Sequence, residues 1–79
     1  MKTTAHTHGL TIINDAKSFP TETARYDVWY YGPGFADNTG LMASFEGACR
    51  EAAKLLEERA DKVLVMDRVR GYAVAEGRA

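Results

Sequence analysis

The chain carries a single cysteine, Cys49, so no disulfide can form within it. That fits a reducing compartment. It holds two prolines and no apolar run near the roughly 18 residues needed to span a bilayer. The opening stretch, Met1 to Leu10, is polar and lacks the apolar segment of a secretory signal. A cytoplasmic protein with no membrane association is expected. Neither sign of charge is in surplus: ten basic residues face eleven acidic ones, a net charge of −1 at pH 7. Binding by phosphate neutralisation needs a basic surplus, so direct nucleic-acid binding is not expected. Acidic mimicry of DNA over the whole surface is disfavoured for the same reason. What is present is ordinary for a folded domain: 79 residues, 46% hydrophobic and 27% charged. One domain over 1–79 follows. A domain this small buries only about 60% of its unfolded surface, and self-association is a common remedy.

The clearest element is Ser44 to Ala60. Phe45, Ala48, Cys49, Ala52, Leu55, Leu56 and Ala60 recur at spacings of three and four, which puts them on one helix face. Ser44 suits the N-cap, because its hydroxyl can accept from a free amide of the first turn. Glu46 with Arg50 and Lys54 with Glu58 are candidate i,i+4 pairs. Gly47 in the first turns signals close packing or fraying.

Five further segments read as strands or possible strands. Gly9 to Asn14 is β-branched and alternating. Arg25 to Tyr31 alternates Tyr26, Val28 and Tyr30 against Arg25, Asp27, Trp29 and Tyr31. Val63 to Met66 is apolar at every position, as in a central strand covered on both sides. Tyr72 to Ala75 returns after a turn at Asp67 to Gly71. Turn formers fill Asp15 to Thr21, Gly32 to Gly34 and Asp37 to Gly40. Leu41 to Ala43 is either a short strand or an extended lead into the helix. Residues 1–8 read as a flexible N-terminal arm. The fold class predicted is α+β: a small antiparallel sheet of four or five strands, in chain order β-β-(β)-α-β-β, on one amphipathic helix.

No catalytic set accompanies this scaffold. His6 and His8 share a strand face on paper, but no second cysteine or third histidine completes a metal site. Cys49 lies on the apolar helix face, where burial blunts a thiol. Gly32-Pro33-Gly34 lacks the Lys-Ser/Thr that follows a phosphate-cradling loop. Glu51, Glu57, Glu58 and Asp61 stand among Arg50, Lys54, Arg59 and Lys62, the pattern of a solvated face. Arg68 and Arg70 beside Asp67 do not make a nucleic-acid patch. The expectation is a protein that is not an enzyme and takes no metal or cofactor.

The densest aromatic group is Tyr26, Trp29, Tyr30, Tyr31 and Phe35. One helix is too narrow to cover both sides of a sheet, so the half facing away from it, Trp29 and Tyr31, is expected to meet another polypeptide. A second copy of the chain is one such cover. The layout as a whole, with the helix SFEGACREAAKLLEERA, the closing hairpin VLVMDRVRGYAVAEG and no catalytic set, resembles the small anti-CRISPR proteins of bacteriophages. The resemblance implies a protein-binding inhibitor that engages a CRISPR effector, often the type I surveillance complex, in the host cytoplasm and blocks target DNA binding. Those proteins share no signature, so it transfers no site residue. The residues' own candidates for a partner or dimer interface are Trp29, Tyr31, Asp27, Asp37, Glu57 and Glu58. The acids among them suit a basic channel on a partner. The alternative is a small dimeric structural or regulatory domain that binds a host protein.

Overall fold

A computed structural model describes residues 6–14, 25–42 and 44–79. Within them the chain forms one six-stranded sheet with one helix. The elements are β1 (His6–Thr7), β2 (Leu10–Ile12), β3 (Tyr26–Gly32), β4 (Phe35–Asn38), α1 (Phe45–Glu58), β5 (Lys62–Asp67) and β6 (Tyr72–Arg78). The spatial order is β1-β2-β6-β5-β3-β4, with every neighbouring pair antiparallel. The fold is α+β, as the sequence predicts, with six strands rather than four or five.

Two strands depart from the expected layout. The first is β4. Gly32-Pro33-Gly34 does end a run of side chains, but it turns the chain back instead of releasing it. Gly32 pairs with Phe35, Pro33 takes the first turn position, and Gly34 takes the second at φ 77. Pro followed by a residue at positive φ is the combination that a tight turn favours. Phe35–Asn38 then lies along β3, so the turn expected at Asp37 begins inside a strand. Of the possible strand Leu41 to Ala43, Leu41 is irregular, Met42 makes an isolated bridge to Tyr26, and Ala43 lies outside the described residues. The second departure is β1. His6–Thr7, placed by sequence in the flexible arm, pairs with β2 through a two-residue turn, His8 at φ 50 and Gly9 at φ 80. The rest of that arm, and the loop expected at Asp15 to Thr21, lie outside the described residues.

The helix forms where its periodicity puts it. The Ser44 hydroxyl accepts from the Gly47 amide at 3.0 Å. A side chain on Gly47 would come within 2.9 Å of that same oxygen, which explains the glycine. Glu46 and Arg50 pair at 2.9 Å on the solvent side. Among the described residues no ion pair joins Lys54 to Glu58.

Alternation sorts the sheet into two sides. Tyr26, Val28 and Tyr30 of β3, Val63 and Val65 of β5, and Ala75 of β6 point to α1 and meet Phe45, Ala48, Cys49, Ala52 and Leu55. A bulge between Val65 and Met66 inserts Val74 opposite β5, so Val74 and Ala75 are both fully buried. Gly77 allows the helix to close on β6. A Cβ there would collide with Leu10 Cδ2 and approach Leu56 Cδ1 at 2.8 Å. The T-shaped contact of Tyr26 with Phe45, centroids 5.7 Å apart, fastens the start of α1 to β3.

At one end of this layer is a buried ion pair. Asp67, fully enclosed, accepts from Arg25 Nε on Oδ1 and from Arg25 Nη2 on Oδ2, both at 3.0 Å. The same Oδ1 accepts the amides of Val69 and Arg70 at 3.0 Å, so the carboxylate also shapes the β5–β6 turn. Burial by itself would push this carboxyl up. The Arg25 hydrogen bonds, the two amides and the Arg25 charge outweigh it and hold the group below its ordinary value.

Candidate functional site: the open face of the sheet

The side of the sheet turned away from α1 is built by register. Three rows cross it. The first runs Ala36, Tyr31, Lys62, Arg78; the second runs Asn38, Trp29, Leu64, Glu76, Thr11, His6; the third runs Asp27, Met66, Ala73. No element of the described residues packs a layer against these rows. Trp29, Tyr31, Leu64 and Met66 are half-buried, each shielded by its strand neighbours but not covered from above. Val63 to Met66 is indeed central, between β3 and β6. Only its Val63 and Val65 side is fully buried, however, and Leu64 and Met66 belong to the open face.

Charge is distributed unevenly over this face. Lys62 and Arg78 stand together at one end, with the Lys62 ammonium 5.9 Å from the centre of the Tyr31 ring. Glu76 lies in the middle row. At the other end Asp27 is 3% exposed. Its Oδ2 accepts from Asn38 Nδ2 at 2.7 Å and faces Arg68 Nη1 at 3.5 Å. Its Oδ1 is buried with no hydrogen-bond donor. A carboxylate oxygen enclosed without a donor is destabilising.

The six interface candidates divide between two sides. Asp27, Trp29 and Tyr31 share the open face. Asp37, opposite Tyr30 in register, is exposed at the far strand on the helix side. Glu57 and Glu58 are exposed in the last turn of α1. No basic residue occupies that turn and no ion pair among the described residues reaches these two acids. Acids at a helix C-terminus oppose the macrodipole, so this end is locally unfavourable. The open face itself contains residues that sequence reasoning did not single out: Lys62, Glu76 and Arg78. Only the pairing register reveals them.

The other candidate chemistries have plain structural roles or none. Cys49 is fully buried, and burial pushes its thiol up to about 12, which leaves almost no thiolate at neutral pH. His6 Nδ1 lies 3.4 Å from the Thr11 hydroxyl. Among the described residues no group of three His, Cys, Asp or Glu side chains is placed to hold a metal ion. No described helix is long and apolar enough to cross a membrane. No protein-family model, curated protein or solved structure matches the chain.

Proposed function

We propose that this protein is a non-enzymatic binding protein that works by docking on another polypeptide. One observation carries this reading: the face with Trp29, Leu64, Tyr31 and Met66 at its centre has no covering layer among the described residues. Apolar and aromatic side chains kept in contact with water gain free energy when a protein surface covers them. Tyr and Trp are also the residues most often found to dominate such contacts. Self-association through this face belongs to the same reading.

The resemblance to small phage inhibitors nominates a type I CRISPR surveillance complex as the foreign partner, with loss of target DNA binding as the consequence. The unpaired Glu57 and Glu58 at the end of α1, and exposed Asp37, support a basic surface on that partner. Their unfavourable place at the helix end is relieved when a cation approaches. An occluding mode suits a chain of net charge −1 better than imitation of a DNA backbone.

The test is a mobility shift of target DNA by a purified type I complex, with and without the full chain. The expected outcome is capture of the protein by the complex and loss of the shifted band. Trp29→Ala with Tyr31→Ala, and separately Glu57→Lys with Glu58→Lys, should each weaken the effect at least tenfold. No capture together with undiminished DNA binding would end the inhibitor reading and leave a small dimeric domain with a different partner.

A further inference from the structure

We propose, on the strength of reading the open face as a docking surface, that it takes an acidic and apolar segment of another polypeptide. A carboxylate of that segment lies between Lys62 and Arg78, and its apolar side chains lie over Trp29, Leu64 and Met66.

Charge sets the sign of the partner. At one end of the face Asp27 and Arg68 balance each other, with Arg68 Nη1 3.5 Å from Asp27 Oδ2. Lys62, Arg78 and Glu76 remain. Lys62 and Arg78 stand directly opposite each other on β5 and β6. Like charges in that relation destabilise a sheet. Glu76 is in the neighbouring row, yet among the described residues no carboxylate forms an ion pair with either cation. Lys62 leans on the Tyr31 ring instead, its ammonium 5.9 Å from the ring centre. This corner therefore holds excess positive charge on a chain whose net charge is −1. One incoming carboxylate can accept from both cations, through charge-assisted hydrogen bonds, and relieve their repulsion.

Register then sets the spacing. The Lys62 row, the Trp29–Leu64 row and the Met66 row follow one another two residues apart along β5. Each step is about 7 Å, so an acid followed by apolar groups at about 7 and 13 Å fits the face. An extended segment provides this at positions i, i+2 and i+4, and a helix at i, i+4 and i+8. The contact strip follows β3, β5 and β6, the three long strands, and needs nothing from the short flanks β1 and β4. Trp29, Leu64 and Met66 are half-buried between their neighbours rather than projecting. Polypeptide side chains can settle among them, whereas a bilayer interface takes apolar groups that reach about 5–10 Å into it.

The full chain, immobilised, is offered a display library of random dodecapeptides that lack tryptophan. Selected peptides are expected to carry Asp or Glu at one of these spacings from apolar residues. They should move Trp29 emission to shorter wavelength, and Lys62→Glu with Arg78→Glu should weaken their binding at least tenfold. Selection repeated on that variant should return Lys- or Arg-bearing peptides. Far-UV circular dichroism shows whether the variant is folded; if it is not, Lys62→Gln with Arg78→Gln takes its place, with a several-fold weakening expected. Basic or uncharged peptides from the wild type, or acidic ones indifferent to the substitutions, would overturn the partner's chemistry. The docking surface would survive that result as long as Trp29 emission shifts. No selected peptide, or peptides that leave Trp29 emission unmoved, would overturn the docking reading as well. Phosphatidylserine vesicles that shift Trp29 emission where no peptide does would assign the face to a membrane instead.

Discussion

Asp67 has the most demanding local environment in the protein. Its carboxylate is fully enclosed, yet it stays ionised because Arg25 grips both oxygens, two turn amides bond Oδ1 and Arg70 Nε stands 3.5 Å from Oδ2. Removing one partner of a buried pair leaves the other charge uncompensated. Asp67→Ala should therefore cost about 3–5 kcal/mol of unfolding free energy at neutral pH. The pH dependence has a definite sign. The folded group titrates below its ordinary value of 3.8, so its contribution is complete above that value and is lost as pH falls through the folded one. The stability gap between wild type and Asp67→Ala, measured by urea unfolding, should be constant above about pH 5 and shrink below about pH 4. A gap that stays constant down to pH 2.5 would show that the charge is not the source. None of this was legible from sequence. Arg25 and Asp67 are 42 positions apart, and alternation would have put Arg25 on the other side of β3.

Elements with a strong period were legible, and those held together by a turn were not. The α1 face, its Ser44 cap, the two-sided split of β3 and the central place of β5 all follow from spacing alone. β4 was missed because Phe35–Asn38 has no alternation to read: three of its four residues are exposed and none is buried. Its existence depends on Gly34 adopting φ 77, which the tripeptide permits but does not announce. β6 runs three residues beyond the expected Ala75 because Gly77 is there for closeness, not flexibility. The helix layer sits against its bare backbone. Gly77→Ala should consequently destabilise the fold by about 1–3 kcal/mol through overpacking, despite alanine's smaller backbone entropy cost. Thermal unfolding would detect this. A neutral or stabilising Gly77→Ala would mean that Leu10 and Leu56 can retreat, and that α1 is not seated as tightly as described. Of the candidate site, the aromatic half was legible from alternation. The charged half, Lys62, Glu76 and Arg78, became visible only once register aligned three strands.

As a whole the described residues form two layers, and the sheet side that none of them covers carries the chain's one tryptophan. Association through that side should move Trp29 emission to shorter wavelength as protein concentration rises, and should raise the melting temperature in step, because mass action stabilises whatever the partner binds. Emission that stays constant from 0.1 to 100 μM would count against any self-contact there. The lateral limits of the sheet add one more constraint. On one flank it stops at β1, a strand of two residues, and on the other at β4, a strand of four. Stubs of that length offer too few free amides and carbonyls to template another strand. Growth by strand addition is therefore disfavoured at both flanks of the described sheet. Edge-to-edge pairing, the usual nucleus of a fibre, is thereby suppressed at these flanks.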